Sequence, residues 1–160
     1  MAHAPQNLWA VLTVFTDMQS VLVVANRTSA SPTLLEAVRR RARQGPCSFT
    51  LLVPQLIAEE AFGDEEARKT IELAVPLLQE AAGDEVPAII GTSDAMLAVE
   101  RVLVHERFDE VIVSTLPERI SQWLKRDLPS RIERLELPVT VVRAKEARQP
   151  LHQPPIYAGP

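Results

Sequence analysis

The chain has 160 residues, 46% of them apolar and 24% charged, with a formal net charge of −4. That length and mixture fit one soluble globular domain with a substantial core, and the negative balance argues against a nucleic-acid or anionic-membrane binder. Aromatic residues make up only 4%, so the core is expected to be built from Val, Leu, Ile and Ala.

Residues 1–20 read as an N-terminal arm. Its segment Leu8 to Phe15 is apolar on nearly all sides yet far too short to span a bilayer. It lacks the basic start and small-residue cleavage site of a signal peptide, so an extra helix or strand packed on the domain or on a partner subunit is expected. The α/β domain is placed at 21–143. Its first strand is Val21-Leu22-Val23-Val24-Ala25, followed by the loop Asn26-Arg27-Thr28-Ser29. Ser31-Pro32 is the pairing of an N-cap with proline at the first helical position. Leu34, Leu35 and Val38 give that helix a buried stripe, and Gly45-Pro46 ends it. Arg39, Arg40, Arg41 and Arg43 crowd its last turns, where cations complement the carbonyl end of the helix dipole.

Phe49 to Val53 is the second strand, and Gln55 to Phe62 a loop with at most a helical turn. Asp64 is expected to cap the longest helix, with Ile71, Leu73, Ala74, Leu77, Leu78 and Ala81 along it. Pro76 removes one of its hydrogen bonds and is expected to kink it. Val86 to Ile90 is the third strand. Ser93 or Asp94 then caps a helix carrying Met96, Leu97, Val99, Val102 and Leu103. His105 lies at its carbonyl end, a structural position for an imidazole.

Val111-Ile112-Val113 and Val139-Thr140-Val141-Val142 enclose residues of helical spacing: Ile120, Trp123 and Leu124, then Ile132 and Leu135. Strand, crossover helix and strand make a parallel βαβ unit. Residues 144–160 are a polar, proline-rich tail. Proline cannot donate to a sheet ladder, so Pro87 and Pro138 mark the third and fifth strands as edges. With right-handed crossovers the strand order is 3-2-1-4-5, and the fold class is a three-layer αβα sandwich on a five-stranded parallel sheet.

Val21 to Val142 resembles the universal stress protein family, most specifically in VLVVAN at strand one, FTLLVP at strand two and Gly91 before a helix after strand three. That family has this strand order and is similar to adenine nucleotide alpha hydrolases in fold. Its ATP loop, Gly-x2-Gly-x9-Gly-Ser/Thr after strand four, falls on Ser114, Pro117, Asp127 and Leu128. The loop length is kept and every glycine is replaced. The acidic residue that the family places at the end of strand one is Asn26 here.

The resemblance therefore implies a ligand crevice at the switch point between strands one and four, with Asn26, Arg27, Thr28, Ser114 and Thr115 at its mouth. Glycines would let backbone N–H groups approach phosphates, whereas Ser114 adds a Cβ, Pro117 has no N–H and Asp127 sets a carboxylate where a phosphate would sit. The expectation is a regulatory or interaction module of universal stress protein type that does not bind ATP in the usual manner. The alternative is a nucleotide or small-anion binding protein with a remodelled loop.

No catalytic residue is expected, since no His or Cys stands in a motif beside Ser114 or Thr115. No cofactor is expected, and the three histidines, His3, His105 and His152, have no metal-like spacing. Cys47, the single cysteine, reads as a small apolar residue entering a strand, with a redox thiol as the other reading, and fits a reducing, cytoplasmic compartment. The open edge of the fifth strand and the apolar arm make a homodimer the expected partner state. No nucleic acid and no membrane is expected among the partners.

Overall fold

The computed structural model describes residues 18–55, 60–116 and 126–144. Their elements are β1 (Gln19–Val24), α1 (Pro32–Arg43), β2 (Cys47–Pro54), α2 (Glu60–Ala82), β3 (Ala88–Gly91), α3 (Ala95–His105), β4 (Glu110–Thr115), α4 (Leu128–Glu133) and β5 (Val139–Arg143). The five strands form one parallel sheet in the order β3-β2-β1-β4-β5, with the two proline-led strands at the edges.

Strand side chains alternate between the two faces, so each strand feeds two cores. Val21, Val23 and Ala25 of the β1 segment join Phe49, Leu51, Val53 and Ile112 under α1 and α2, with Leu34, Val38, Ala74 and Leu78 from the helices. Leu22, Val24, Leu52, Val111 and Val113 face the other way, against Met96, Val99, Val102, Leu128 and Ile132 of α3 and α4. The apolar runs in β1, β2 and β4 thus reflect burial on both sides.

Two helix starts follow the sequence. Ser31 Oγ accepts from the Leu34 amide at 3.2 Å, with Pro32 opening α1. Asp94, rather than Ser93, caps α3 through the Leu97 amide at 3.1 Å.

Other boundaries differ from expectation. β1 starts at Gln19, inside the segment assigned to the arm. α2 begins at Glu60, so Asp64 is no cap; its carboxylate instead accepts from the Gln55 side-chain amide, and the helix runs through Pro76. β3 spans Ala88–Gly91, because Pro87 contributes only its carbonyl, at 2.8 Å from the Leu51 amide. The crossover before β5 is not one continuous helix: Asp127 has φ 56° and precedes α4. Several residues of the apolar stripes face solvent, since helical spacing alone does not separate the core side from its flank. Leu73 of α2 is 71% exposed, and Leu77, Leu97 and Leu135 also lie on the surface. The arm segment Leu8 to Phe15, the Ile120-Trp123-Leu124 stripe and the tail beyond Ala144 lie outside the described residues.

Cys47 enters β2 half-buried, and burial pushes its thiol above the ordinary cysteine value. Beside it the Arg41 guanidinium meets Glu110 at 2.5 Å, tying the end of α1 to the start of β4.

Gly91 is required by packing. A Cβ there would sit 2.6 Å from Ala98 Cβ and 3.1 Å from Leu52 Cδ1, so α3 can approach β3 only because the glycine has no side chain. Gly91→Ala is expected to cost roughly 1–3 kcal/mol, as overpacking does. The midpoint of urea unfolding should fall accordingly, and an unchanged midpoint would refute the close-approach role.

Candidate functional site

The switch point, where the candidate crevice is expected, lies where β1 pairs with β2 on one side and β4 on the other, Val24 standing opposite both Leu52 and Val113. Chains leaving the C-terminal ends of β1 and β4 diverge there, because β1 continues to one half of the sheet and β4 to the other. Asn26, Thr28 and Ser29 follow β1, and Ser114 and Thr115 close β4. All five are buried.

These side chains are occupied with one another and with the backbone. Thr28 Oγ1 and Ser114 Oγ share a hydrogen bond of 2.7 Å across the switch point. The Ser29 hydroxyl donates to the Asn26 carbonyl at 2.6 Å, and the Ser29 amide donates to the same oxygen at 3.0 Å. The Asn26 side-chain amide donates to the Pro54 carbonyl, joining the ends of β1 and β2. An aspartate at 26 has no proton to give that carbonyl, which explains an amide at this position. Thr115 Oγ1 donates to the Leu116 carbonyl at 3.3 Å, while its own carbonyl accepts from the Ala144 amide at 2.8 Å. Among the described residues no buried side-chain nitrogen or oxygen lacks a hydrogen-bond partner. Of the expected mouth residues only Arg27 faces solvent.

The structure separates the remaining loop positions. Asp127 is the exposed N-cap of α4 in the left-handed region, and its carboxylate makes no capping bond. A positive φ suits glycine and is tolerated by aspartate at some cost. Leu128 points into the core beside Leu22, Val24 and Val113, a packing role that no hydroxyl could fill. Pro117 lies outside the described residues. Sequence reasoning missed two features: the Pro54 carbonyl as partner of Asn26, and a groove of about 200 Å³ at the β3 edge between Ile89, Ala98, Val102, Arg101 and His105. No local pattern marks either, because both arise between elements distant in sequence. That groove is smaller than the usual small-molecule pocket.

Among the described residues no cluster of His, Cys, Asp or Glu is arranged to hold a metal, and no helix is long and apolar enough to cross a membrane.

Solved structures of the same architecture cover nearly their whole length with this chain. A universal stress protein from Archaeoglobus fulgidus matches at TM-score 0.58 and 13% identity, over 82% of this chain and 99% of that one. Its fold is that of the universal stress proteins. The universal stress protein from Archaeoglobus fulgidus in complex with dAMP matches at TM-score 0.54 and 16% identity, over 79% of this chain and 98% of that chain. A universal stress protein in complex with cAMP matches at TM-score 0.52 and 16% identity, with the same coverage of 79% and 98%. No protein-family model matches the sequence, and no curated protein matches it significantly.

The hydroxyl pair makes a direct prediction. Thr28→Val leaves the buried Ser114 hydroxyl unpaired and is expected to cost about 1–3 kcal/mol. Adding Ser114→Ala should cost less than the sum of the two single changes, since the pair is then removed together. Denaturant titration of the four species checks this; strict additivity would mean the bond contributes nothing.

Proposed function

We propose that this protein is a regulatory or interaction module on the universal stress protein fold that does not bind ATP in the way usual for that family. The observation that supports this reading is the Thr28–Ser114 bond, which engages the two hydroxyls at the switch point with each other. A ligand would have to break that bond and leave two buried hydroxyls to be satisfied again. Asp127 adds an exposed carboxylate beside the α4 start, where it opposes a polyphosphate. The reading includes a cytoplasmic protein without catalytic activity; among the described residues the Ser114 and Thr115 hydroxyls bond to Thr28 and to the Leu116 carbonyl, neither of them a base.

A second reading is a nucleotide or small-anion binding protein that uses Asn26, Arg27, Thr28, Ser114 and Thr115 in a remodelled crevice. What favours it is the pair of likenesses to universal stress proteins in complex with dAMP and with cAMP. Arg27, exposed at the mouth, would meet the anion.

Calorimetry with ATP, dAMP and cAMP separates the two. The wild-type protein is expected to bind ATP no tighter than about millimolar, near 4 kcal/mol, and purified protein to carry no nucleotide by mass spectrometry. Micromolar ATP binding would overturn the first reading. Asp127→Gly, which relieves the positive φ and removes the charge, should be at least as stable as wild type and should raise ATP affinity in combination with Ser114→Gly and Pro117→Gly. Leu128 is best left unchanged in that experiment, since it is core.

The module is proposed to be a homodimer formed through the open edge of β5. Ala144 donates inward to Thr115, and by alternation the amide of Val141 points away from β4. Val141→Pro removes that outward donor with little effect on the ladder to β4. Light scattering at micromolar concentration should give a dimer for the wild type and a smaller mass for the variant; a monomeric wild type would refute the edge pairing.

A further inference from the structure

The outer face of the α1/α2 layer combines exposed apolar residues with opposite charges on its two helices. Leu73 is 71% and Leu77 40% exposed at i, i+4 spacing on α2, and Pro76 lies exposed between them. Both leucines sit in an otherwise well-packed helix whose Ala74, Leu78 and Ala81 fill the core. A pair of exposed leucines around a proline is an apolar patch in want of a partner. The flanking charge is divided sharply. α1 carries four arginines against one glutamate, and α2 carries six acidic residues against Arg68 and Lys69. Several of these charges are neutralised locally: Arg39 pairs with Glu36, Arg41 with Glu110 and Lys69 with Glu65. Arg40 and Arg43 on α1, and Glu72 and Glu80 on α2, are exposed and form no ion pair among the described residues.

We infer that this face is a second self-association surface, on which α1 of one copy lies over α2 of another. The charges select a second copy as occupant, because a basic helix and an acidic helix side by side are complementary to the same pair rotated by half a turn. The topology sets the register. Both helices lead into strands of one parallel sheet, so their C-terminal ends lie at the same edge, with Arg40 and Arg43 on α1 and Glu80 and Asp84 at the end of α2. A two-fold axis in the contact plane and along the helices brings Arg40 and Arg43 of each α1 to Glu80 and Asp84 at the C-terminal end of the partner's α2, the other α2 acids except Glu72 lying in its first two turns. Leu73, Pro76 and Leu77 then fall inside the contact. α1 has 12 residues and α2 has 23, lengths of about 18 and 34 Å at 1.5 Å per residue. With packed helices roughly 10 Å apart, the layer offers about 500 Å² per subunit. Two copies would bury about 1,000 Å², the low end for a specific interface, so the association belongs at concentrations about 100-fold above the micromolar range in which the β5 dimer is read. It does not involve the β5 edge, and the two surfaces are separable by mutation.

Sedimentation equilibrium of the full chain in about 0.15 M salt, a Debye length near 8 Å, tests the inference. The background is Val141→Pro, which blocks the β5 edge. That chain should still self-associate, and Leu73→Glu should weaken its association at least tenfold. Arg40→Glu with Arg43→Glu should do the same, as should Glu80→Lys with Asp84→Lys. All these positions are exposed, so the variants are expected to keep the wild-type circular dichroism and unfolding midpoint. The two charge variants mixed in equal amounts should associate with each other, because each supplies what the other lost. A monomeric Val141→Pro chain at 100-fold the micromolar range, insensitivity to Leu73→Glu, or a mixture that stays monomeric would each overturn the proposal.

Discussion

β1 is hydrogen-bonded on both sides and packed on both faces, and the rest of the domain hangs on that position. It pairs with β2 from Gln19 to Val24 and with β4 from Val21 to Val24. Val21 to Ala25 are almost wholly buried as a result. The buried part of a strand so placed has no polar face to offer water, so Val21 to Val24 are all apolar and their backbone groups find partners in the neighbouring strands. Alternate side chains feed the two cores, Val21 and Val23 under α1 and α2, Leu22 and Val24 under α3 and α4. Because β1 has a neighbour on each side, the chain must reverse its direction of travel across the sheet, and the crevice follows from that reversal.

The polar side chains at the switch point are hydrogen-bonded within the protein. Loops leaving β1 and β4 bring Thr28 and Ser114 within 2.7 Å, and Asn26 is drawn to the Pro54 carbonyl at the end of β2. A buried hydroxyl without a partner is costly, so such a cluster favours the closed arrangement over any in which the hydroxyls face an empty apolar space. Asp127 and Leu128 tell the same story from the far side of the crossover. Asp127 has a left-handed backbone, and Leu128 is a core residue in the same cluster as Leu22. Of the positions that the resemblance lays on the family's ATP loop, Asp127 forms a turn and Leu128 packs in the core.

The two helical layers differ in how completely they are used. α3 comes so near β3 that Gly91 must lack a side chain, with Ala98 filling the space. α2 lies across β2 and β3 by its alanines and Leu78, and leaves Leu73 and Leu77 outside. An amphipathic helix needs a single stripe for the sheet, and any apolar residue beyond its flank is free to serve another surface.

Strand identity, the parallel sheet, its order and the Ser31 cap were legible in the chain itself, because each rests on local chemistry. β-branched runs buried on both faces, prolines that cannot donate and hydroxyls that accept from the third amide onward need no knowledge of distant residues. The position of the switch point was legible too, through the strand order. The hydrogen bonds across it were not. That Thr28 meets Ser114, 86 positions away in sequence, depends on the pairing of β1 with β4, and that Asn26 faces Pro54 depends on the pairing of β1 with β2. The start of α2 at Glu60 was likewise decided by long-range packing, with Asp64 turned to Gln55 instead of the helix end. Which leucines of a helical stripe reach the core, and which stay exposed, was settled only when the helix was laid on the sheet, since a period of 3.6 residues fixes a face but not the width of the contact.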